Sequence, residues 1–285
     1  MSIKMKKLLI ALAIIVAGSF VIAISLFYST GGLRPLSSIT KDISQIEEID
    51  ASGIKAINIS SVSAPVKVII GEGNKIKADF KGKIKTNISG RTPELSILKI
   101  NGELTIEIIY PAIVGFGIFD ISDLSLEVAI PEEIAALTKI STTSAKIDIE
   151  NIKVAELFAE SVSGAINLNN IKANNIEIEN TSGKCLIDDS NGRINIDTVS
   201  GEAVINLKQL DDEIKVSSIS GDVRLNIPED SSFDFDLSSI SGKIENNLIS
   251  KISYADRQEV KGTVGNGDFN ININTISGRI VLECN

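Results

Sequence analysis

The 285-residue sequence contains no histidine, two cysteines and few aromatic residues, which make up 4% of the chain. Without histidine, the chain lacks the side chain that most often serves as general base, triad member and zinc or copper ligand. These absences exclude histidine-dependent hydrolases and most zinc and copper sites. We therefore expect no catalytic residue, no resident metal and no cofactor.

Positive charge is also scarce. Lysine and arginine total 28 against 37 aspartates and glutamates, which gives a net charge of −9. No basic patch interleaved with aromatic residues occurs, so nucleic acid is not an expected partner.

One short phrase recurs through the second half of the chain. It reads SVSGAINL from Ser161, TVSGEAVI from Thr198 and TISGRIVL from Thr275, with a degenerate copy, TTSAKIDI, from Thr142. The second serine of each phrase and the glycine after it mark the repeat: Ser144, Ser163, Gly164, Ser182, Gly183, Ser200, Gly201, Ser220, Gly221, Ser241, Gly242, Ser277 and Gly278. The first six marker serines are 19, 19, 18, 20 and 21 residues apart, and the last step of 36 suggests two periods with one marker lost. Such a period is typical of a solenoid, whose units bury their apolar faces against one another.

Within each period, apolar and polar residues alternate, which indicates strands. In the first full copy the alternation places Val162, Gly164, Ile166 and Leu168 inward. A second alternating segment, such as Asn175–Glu179, completes each period, and Asn, Asp and Gly clusters join the two. We predict an all-β, parallel β-helix with two strands per coil of about 19–20 residues. Right-handed coiling is expected because parallel crossovers are almost always right-handed.

The marker residues are interpreted as structural. Glycine at an inward position allows a sharp bend or a close backbone approach, and the serines before it would stack as an outward ladder about 4.8 Å apart. No Gly-x-Ser-x-Gly nucleophile elbow occurs in the sequence.

The cysteines are not expected to pair. Cys185 replaces the inward Ile166 position of the preceding copy, which indicates a buried thiol. Cys284 lies five periods further on, about 24 Å away at the spacing of stacked coils, whereas a disulfide needs Cα atoms within about 7 Å.

The N-terminus predicts a membrane anchor. Residues 1–7 carry three lysines, and residues 8–28 run without a charge for about 30 Å of helix. We expect an uncleaved signal anchor that contacts the lipid bilayer through 8–28, with the C-terminal domain outside the cytoplasm; a cleaved signal peptide is the alternative. Residues 29–50 would form a tether with a possible short helix, and 51–285 the β-helix.

Residues 51–140 are predicted to be degenerate first coils or a cap, and 141–285 regular repeats. The interval from Ser63 to Ser144 is 81 residues, close to four periods. Tyr110 to Phe119 interrupts the pattern as either a covering loop or an exposed contact patch. The acidic corners Asp188-Asp189, Asp211-Asp212 and Glu229-Asp230 could bind Ca²⁺, but solvated turns are the favoured interpretation.

Three motifs occur together in a characteristic order. They are the iterated Ser/Thr-Val/Ile-Ser-Gly phrase, the Ile-Pro-Glu-Asp strand end at Ile227 to Asp230 followed by SSFDFD, and the Gly265 to Gly267 turn followed by ININ and TISGRI. Over roughly residues 51–285 the chain resembles the bacterial "putative adhesin" family of DUF4097-type β-strand-repeat proteins. The resemblance implies a parallel β-helix, usually exported or membrane-anchored, tied to envelope-stress regulation or adhesion, with no catalytic residues. The sequence departs from the pattern at Ala64, at Ala145 and between Ser241 and Ser277.

Two functions of different kinds follow. The first is a membrane-anchored contact module, an adhesin-like scaffold or envelope-stress accessory, whose partner is a protein or a cell-wall glycan. The second is a polysaccharide-acting enzyme, which would need two carboxylates about 5 to 9.5 Å apart. Coils of 18 to 21 residues leave little room for catalytic loops, so we expect a protein that is not an enzyme.

Overall fold

A computed structural model describes residues 39–86, 92–111, 119–121, 123–248 and 250–284. This part of the chain is all β, as predicted, and no helix in it is long and apolar enough to cross a membrane. The predicted basic tail, the anchor at 8–28 and the first part of the tether lie outside the described residues. The strands are β1 (Ile39–Asp50), β2 (Ala56–Ser61), β3 (Val66–Gly71), β4 (Lys75–Thr86), β5 (Glu94–Ile100), β6 (Glu103–Ile109), β7 (Phe119–Asp120), β8 (Ser125–Pro131), β9 (Glu133–Thr142), β10 (Ile147–Glu150), β11 (Lys153–Ser161), β12 (Ile166–Asn169), β13 (Lys172–Asn180), β14 (Cys185–Asp188), β15 (Asn191–Thr198), β16 (Ala203–Asn206), β17 (Ile214–Ser218), β18 (Val223–Ile227), β19 (Phe233–Ser239), β20 (Ile244–Asn246), β21 (Lys251–Ala255), β22 (Glu259–Val264), β23 (Phe269–Thr275) and β24 (Ile280–Cys284).

Two 12-stranded sheets enclose the core. Each regular repeat contributes one strand to each sheet, so β11, β13, β15 and β17 stack in parallel in the second sheet while β12, β14, β16 and β18 stack in the first. Two strands per coil were expected from the alternation, and the strand pairing confirms them. The handedness of the coils remains a prediction.

The core is built from aligned aliphatic columns. Ile178, Ile196 and Val216 lie opposite one another in successive coils and are at most 1% exposed. In the facing sheet Ile166, Cys185 and Ala203 form a comparable fully buried column. Small and β-branched side chains suit this narrow interior because they pack closely on a pleated surface.

The N-terminal coils do not stack in chain order. Strands β2 and β3 lie between the coil of β6 and β8 on one side and the coil of β9 and β10 on the other. The Ser144 N–H donates directly to the Val62 carbonyl oxygen at 2.9 Å. The 81 residues between Ser63 and Ser144 are therefore not four coils separating these positions, as the spacing suggested. The described strands β4, β5, β6 and β8 of this segment lie on the N-terminal side of β2 and β3, whereas β9 and β10 lie on the opposite side.

The C-terminal end shows the same reordering. The coil of β23 and β24 inserts between that of β17 and β18 and that of β19 and β20. The 36-residue interval before Ser277 holds the antiparallel pair β21 and β22, so the prediction of a lost marker within a regular coil is wrong.

This order also changes the separation of the cysteines. Cys284 lies on β24, three strands from β14 rather than five periods away. Both cysteines are free, as predicted.

The predicted tether extends too far. Residues Ile39 to Asp50 form β1, which pairs antiparallel with β4 along its whole length. Ile43 is buried against the core, so the apolar spacing that suggested a short helix belongs to an edge strand. Of the segment Tyr110 to Phe119, residues 112–118 lie outside the described part. The Tyr110 hydroxyl accepts the Ala64 N–H at 3.0 Å.

Candidate binding groove at the repeat corner

The corner between the two sheets is held by a buried polar column. It consists of the first residue of each phrase, which sequence analysis did not single out, and its members are 2–6% exposed: Ser61, Thr142, Ser161, Asn180, Thr198, Ser218, Thr275 and Ser239. The Oγ of Ser161 and that of Ser218 each accept the N–H of the glycine three residues later at 2.8 Å. Such bonds satisfy a backbone donor that the sharp turn would leave unpaired in the interior. The sequence carried one signal for this column, because the first residue of every phrase is Ser, Thr or Asn.

The repeat glycines lie where neighbouring coils approach most closely. A Cβ built on Gly201 would lie 1.9 Å from the carbonyl oxygen of Gly183, and one on Gly221 would lie 1.9 Å from that of Gly201. The same overlap holds for Gly164, Gly183, Gly242 and Gly278. Glycine is required here by space, because any side chain would enter the backbone of the adjacent coil.

The marker serines form a ladder on the outside of the corner. The Ser200 N–H donates to the Thr181 carbonyl at 2.9 Å, and the Ser200 hydroxyl donates to the same oxygen at 3.2 Å. Backbone N–H groups make the equivalent bond at Ser144, Ser163, Ser182, Ser220, Ser241 and Ser277. These serines are exposed and each is engaged in coil-to-coil bonding.

The residue between the polar column and the marker serine points to solvent, which corrects one sequence prediction. Strict alternation placed Val162 inward, but Val162 is 52% exposed and Ser161 takes the inward position. The turn at the corner breaks the alternation for one residue. We call the resulting exposed column the aliphatic stripe; in stacking order it comprises Val62, Thr143, Val162, Thr181, Val199, Ile219, Ile276 and Ile240.

A row of carboxylates lies across the buried polar column from the aliphatic stripe. Glu160, Glu179 and Asp197 lie opposite one another on β11, β13 and β15, one residue before the buried polar column. We call these three residues the acidic row. Glu160 pairs with Lys139 at 3.0 Å. Within the described part of the chain, the Glu179 and Asp197 carboxylates have no ion-pair or hydrogen-bond partner, and both residues are exposed.

The aliphatic stripe and the acidic row together border a groove along the axis of the stack. One segment, with a volume of about 480 Å³, extends from Thr142 to Ile219. A second, of about 320 Å³, continues it to Val62 and Glu107 and shares Thr142, Glu160 and Val162 with the first. The groove is open and repetitive, and it presents apolar and acidic side chains together.

The sequence of this repeat matches a known family. Residues 54–283 fit the family described as Toastrack DUF4097. The chain belongs to this family. The resemblance stated from the motifs is thereby confirmed, and it covers the two-sheet stack that carries the groove.

Solved structures similar to this Toastrack chain are described as adhesins. A "putative cell adhesion protein" from Clostridium sporogenes is 15% identical with a TM-score of 0.40, covering 86% of this chain and 100% of that one. A "putative adhesin" from Bacteroides fragilis is 10% identical with a TM-score of 0.45, covering 85% and 97%. No curated protein matches the sequence significantly. Membership of the Toastrack family therefore rests on the match over 54–283.

The acidic corners Asp188-Asp189 and Asp211-Asp212 of the Toastrack stack bind neighbouring coils. Asp188 accepts the Asn206 amide at 2.6 Å, Asp189 forms an ion pair with Lys208, and Asp211 accepts the Gly192 N–H at 3.1 Å. In the described ranges, no group of three or more Asp, Glu or Cys side chains could hold a metal ion. These carboxylates act as turn and ladder groups, in line with the favoured interpretation of the sequence.

The buried thiol of Cys185 is unsuited to nucleophilic chemistry. Burial raises its pKa to about 11, and the hydrogen bond from the Asn180 amide opposes this only in part. Because the thiolate is the nucleophile, a thiol neutral throughout the physiological range is inert.

Proposed function

We propose that this Toastrack chain is a non-catalytic contact module that holds a macromolecular partner in the corner groove. The carrying observation is the aliphatic stripe, which presents an exposed Val or Ile in six of its eight coils and Thr in the other two. Val162 and Ile219 in this stripe are 52% and 48% exposed. Single exposed aliphatic side chains are ordinary, but a contiguous row rimmed by charge is typical of an interaction surface. At about 4.8 Å per coil the stripe extends over about 34 Å.

The same arrangement disfavours catalysis. The groove is open, its walls are strands, and the described repeats carry no long loop over it. Pre-organised catalytic groups need a site from which water is excluded. A surface that repeats one set of side chains from coil to coil instead favours an extended partner.

The alternative, a polysaccharide-acting enzyme, has one supporting feature. Neighbouring carboxylates of the acidic row stack at about the 5 Å separation used by retaining glycosidases. The general acid of such a pair must be kept protonated, usually by burial. Glu179 and Asp197 are both exposed, so burial does not keep either one protonated. An enzyme of this kind would release reducing ends from cell-wall glycans, and we expect the protein to release none.

The proposal includes a membrane position. We place the stack outside the cytoplasm, anchored by residues 8–28, on the basis of the charge-free run and the lysines before it. Carbonate extraction of cells that express the full chain or residues 29–285 tests this placement. The full chain would stay with membranes and the shorter chain would be released; equal release of both would refute the anchor.

The contact function is tested with a photo-crosslinking amino acid. It replaces Val199 in the groove or, as a control, Leu98 on β5, which is 55% exposed, lines neither groove segment and lies six strands from β15 in the same sheet. Irradiation of intact cells should give a macromolecular adduct from position 199 and not from position 98. Equal adducts at both positions, or none, would refute a groove-specific contact.

A further inference from the structure

We propose that the occupant of the groove is an amphipathic α-helix of a partner protein, with an aliphatic ridge on the stripe and basic side chains against the acidic row. This inference rests on the proposed contact function and adds the chemistry and conformation of the partner.

The spacing of the coils favours a helix. The stripe repeats about every 4.8 Å, and a helix laid along the stack repeats its face about every 5.4 Å. The mismatch of about 0.6 Å per coil reaches half a coil spacing only after about four coils. An extended peptide repeats its face every two residues, about 6.7 Å, and loses register within two coils.

The groove segment that contains the acidic row is long enough for a short helix. From Val162 through Thr181 and Val199 to Ile219, four coils present the stripe beside the groove. They span about 14 Å, which corresponds to about 10 residues of helix. Side chains at positions i, i+3, i+4 and i+7 of such a helix would form the ridge that meets the stripe.

The unpaired carboxylates of the groove favour a partner helix with basic side chains along one flank. Glu179 and Asp197 face the groove without a partner in the described part of the chain, whereas Glu160 is held by Lys139 at 3.0 Å. Two unpaired carboxylates about 4.8 Å apart match Lys or Arg side chains one helical turn apart on the partner. They would repel an acidic helix, so they provide specificity as well as attraction.

The kind of apolar side chain in the groove favours a protein over a glycan. None of the described residues that line the two groove segments is aromatic. The wall instead offers branched aliphatic side chains such as Val162, Val199 and Ile219, which pack against aliphatic side chains. A sugar chain would present hydroxyl groups that these methyl groups leave unpaired, at a cost in free energy.

A designed peptide tests the inference directly. The probe is an 18-residue helix-forming peptide with Leu at i, i+3, i+4 and i+7 and Lys along one flank. The control replaces each Lys with Glu, and a second control has the same composition with the order scrambled. Binding to the full-length chain is measured by fluorescence anisotropy at low and high salt.

Two double variants of the protein assign the contact. V199S with I219S should weaken binding at least tenfold, because two aliphatic contacts are lost. E179Q with D197N should weaken it about 3- to 10-fold at low salt and little near 1 M salt, where surface charges are screened. Matched controls are L98S with I100S on exposed β5 positions and E229Q with D230N in an exposed turn. Circular dichroism confirms that each variant is folded.

The outcomes separate the two proposals. Binding of the Lys peptide alone, lost in the groove variants and kept in the controls, supports the helix. Failure of the peptide, with a groove-specific adduct of an extended segment or a glycan at Val199, overturns the helix and leaves the contact function intact. Failure of both the peptide and the adduct overturns both.

Discussion

Replacement of Gly201 by alanine tests whether close coil packing dictates the repeat glycine. The new Cβ would lie 1.9 Å from the Gly183 carbonyl oxygen and 3.0 Å from its carbonyl carbon. Carbon and oxygen atoms in contact normally stay about 3.3 Å apart, so the coils must separate locally by about 1.4 Å. The nearest obstacle is the Gly183 backbone, so no rotamer change can relieve the clash.

The expected loss of stability is large for one methyl group. Overpacking costs about 1–3 kcal/mol, and separation of the coils weakens neighbouring hydrogen bonds worth about 1 kcal/mol each. We expect a total of about 3–4 kcal/mol. For a domain of this size, about 2–4 °C of Tm accompanies each kcal/mol, so the Tm should fall by roughly 6–16 °C.

The measurement is thermal unfolding followed by circular dichroism, with Gly73→Ala as the matched control. Gly73 has φ of +71°, and no atom lies within 4 Å of the position that a Cβ would occupy, so its substitution introduces backbone strain without a clash. The strain alone costs about 1–2 kcal/mol. A Tm loss for G201A no greater than that for G73A would refute the packing explanation of the glycine column. Ala64 and Ala145 are buried at the equivalent positions of the two N-terminal coils, so the column accepts a methyl group there. The clash applies to the six repeat glycines from Gly164 to Gly278.

Three further predictions concern the corner and the thiols. Thr198→Val removes the hydroxyl that accepts the Gly201 N–H at 3.1 Å, which should cost about 1–3 kcal/mol of unfolding free energy by chemical denaturation, and Thr198→Ser should restore it. Ellman's reagent should modify one thiol of the native chain, exposed Cys284, and two after denaturation; fast reaction of both native thiols would contradict the buried position of Cys185. The raised Cys185 pKa means that only the unfolded thiol ionises as pH rises from about 9 to about 11, so the native state loses on the order of 2 kcal/mol over that window. Cys185→Ala should remove this part of the alkaline loss, and identical pH profiles for the two proteins would exclude the linkage.

The sequence predicts the regular coils well because their determinants are local. Alternation around Ile166 and Ile178 sets two strands per period, and the period itself sets the coil length. The inward place of Cys185 follows from its alignment with Ile166, which the structure confirms as a buried column.

The order of the end coils could not be predicted because it depends on contacts between distant segments. Ser63 and Ser144 are 81 residues apart in sequence yet lie in adjacent coils. Spacing alone cannot show whether the intervening chain stacks or makes an excursion to the end and back. The antiparallel strands β1 and β4 that close the N-terminal side carry none of the repeat phrase.

The groove was missed for a different reason. Period-two alternation was extended through the corner, which placed Val162 in the core and left the stripe unrecognised. The turn makes Ser161 the inward residue, so Glu160 and Val162 both face solvent, one on each side of it. The invariable Ser, Thr or Asn at this position was the signal, since a small polar side chain can satisfy a buried turn donor.

The corner separates the residues that specify the fold from those free to specify a partner. Ser161, Ser163 and Gly164 are tied to neighbouring backbone by hydrogen bonds or by space. The side chains of Glu160 and Val162 make no hydrogen bond to neighbouring backbone, yet the rigid turn between them fixes their spacing in every coil. Substitution at these two positions can therefore change charge and apolar character along the groove without a change of fold. Family members with the same turn would then present different grooves, and binding specificity would follow those two columns rather than the marker serines.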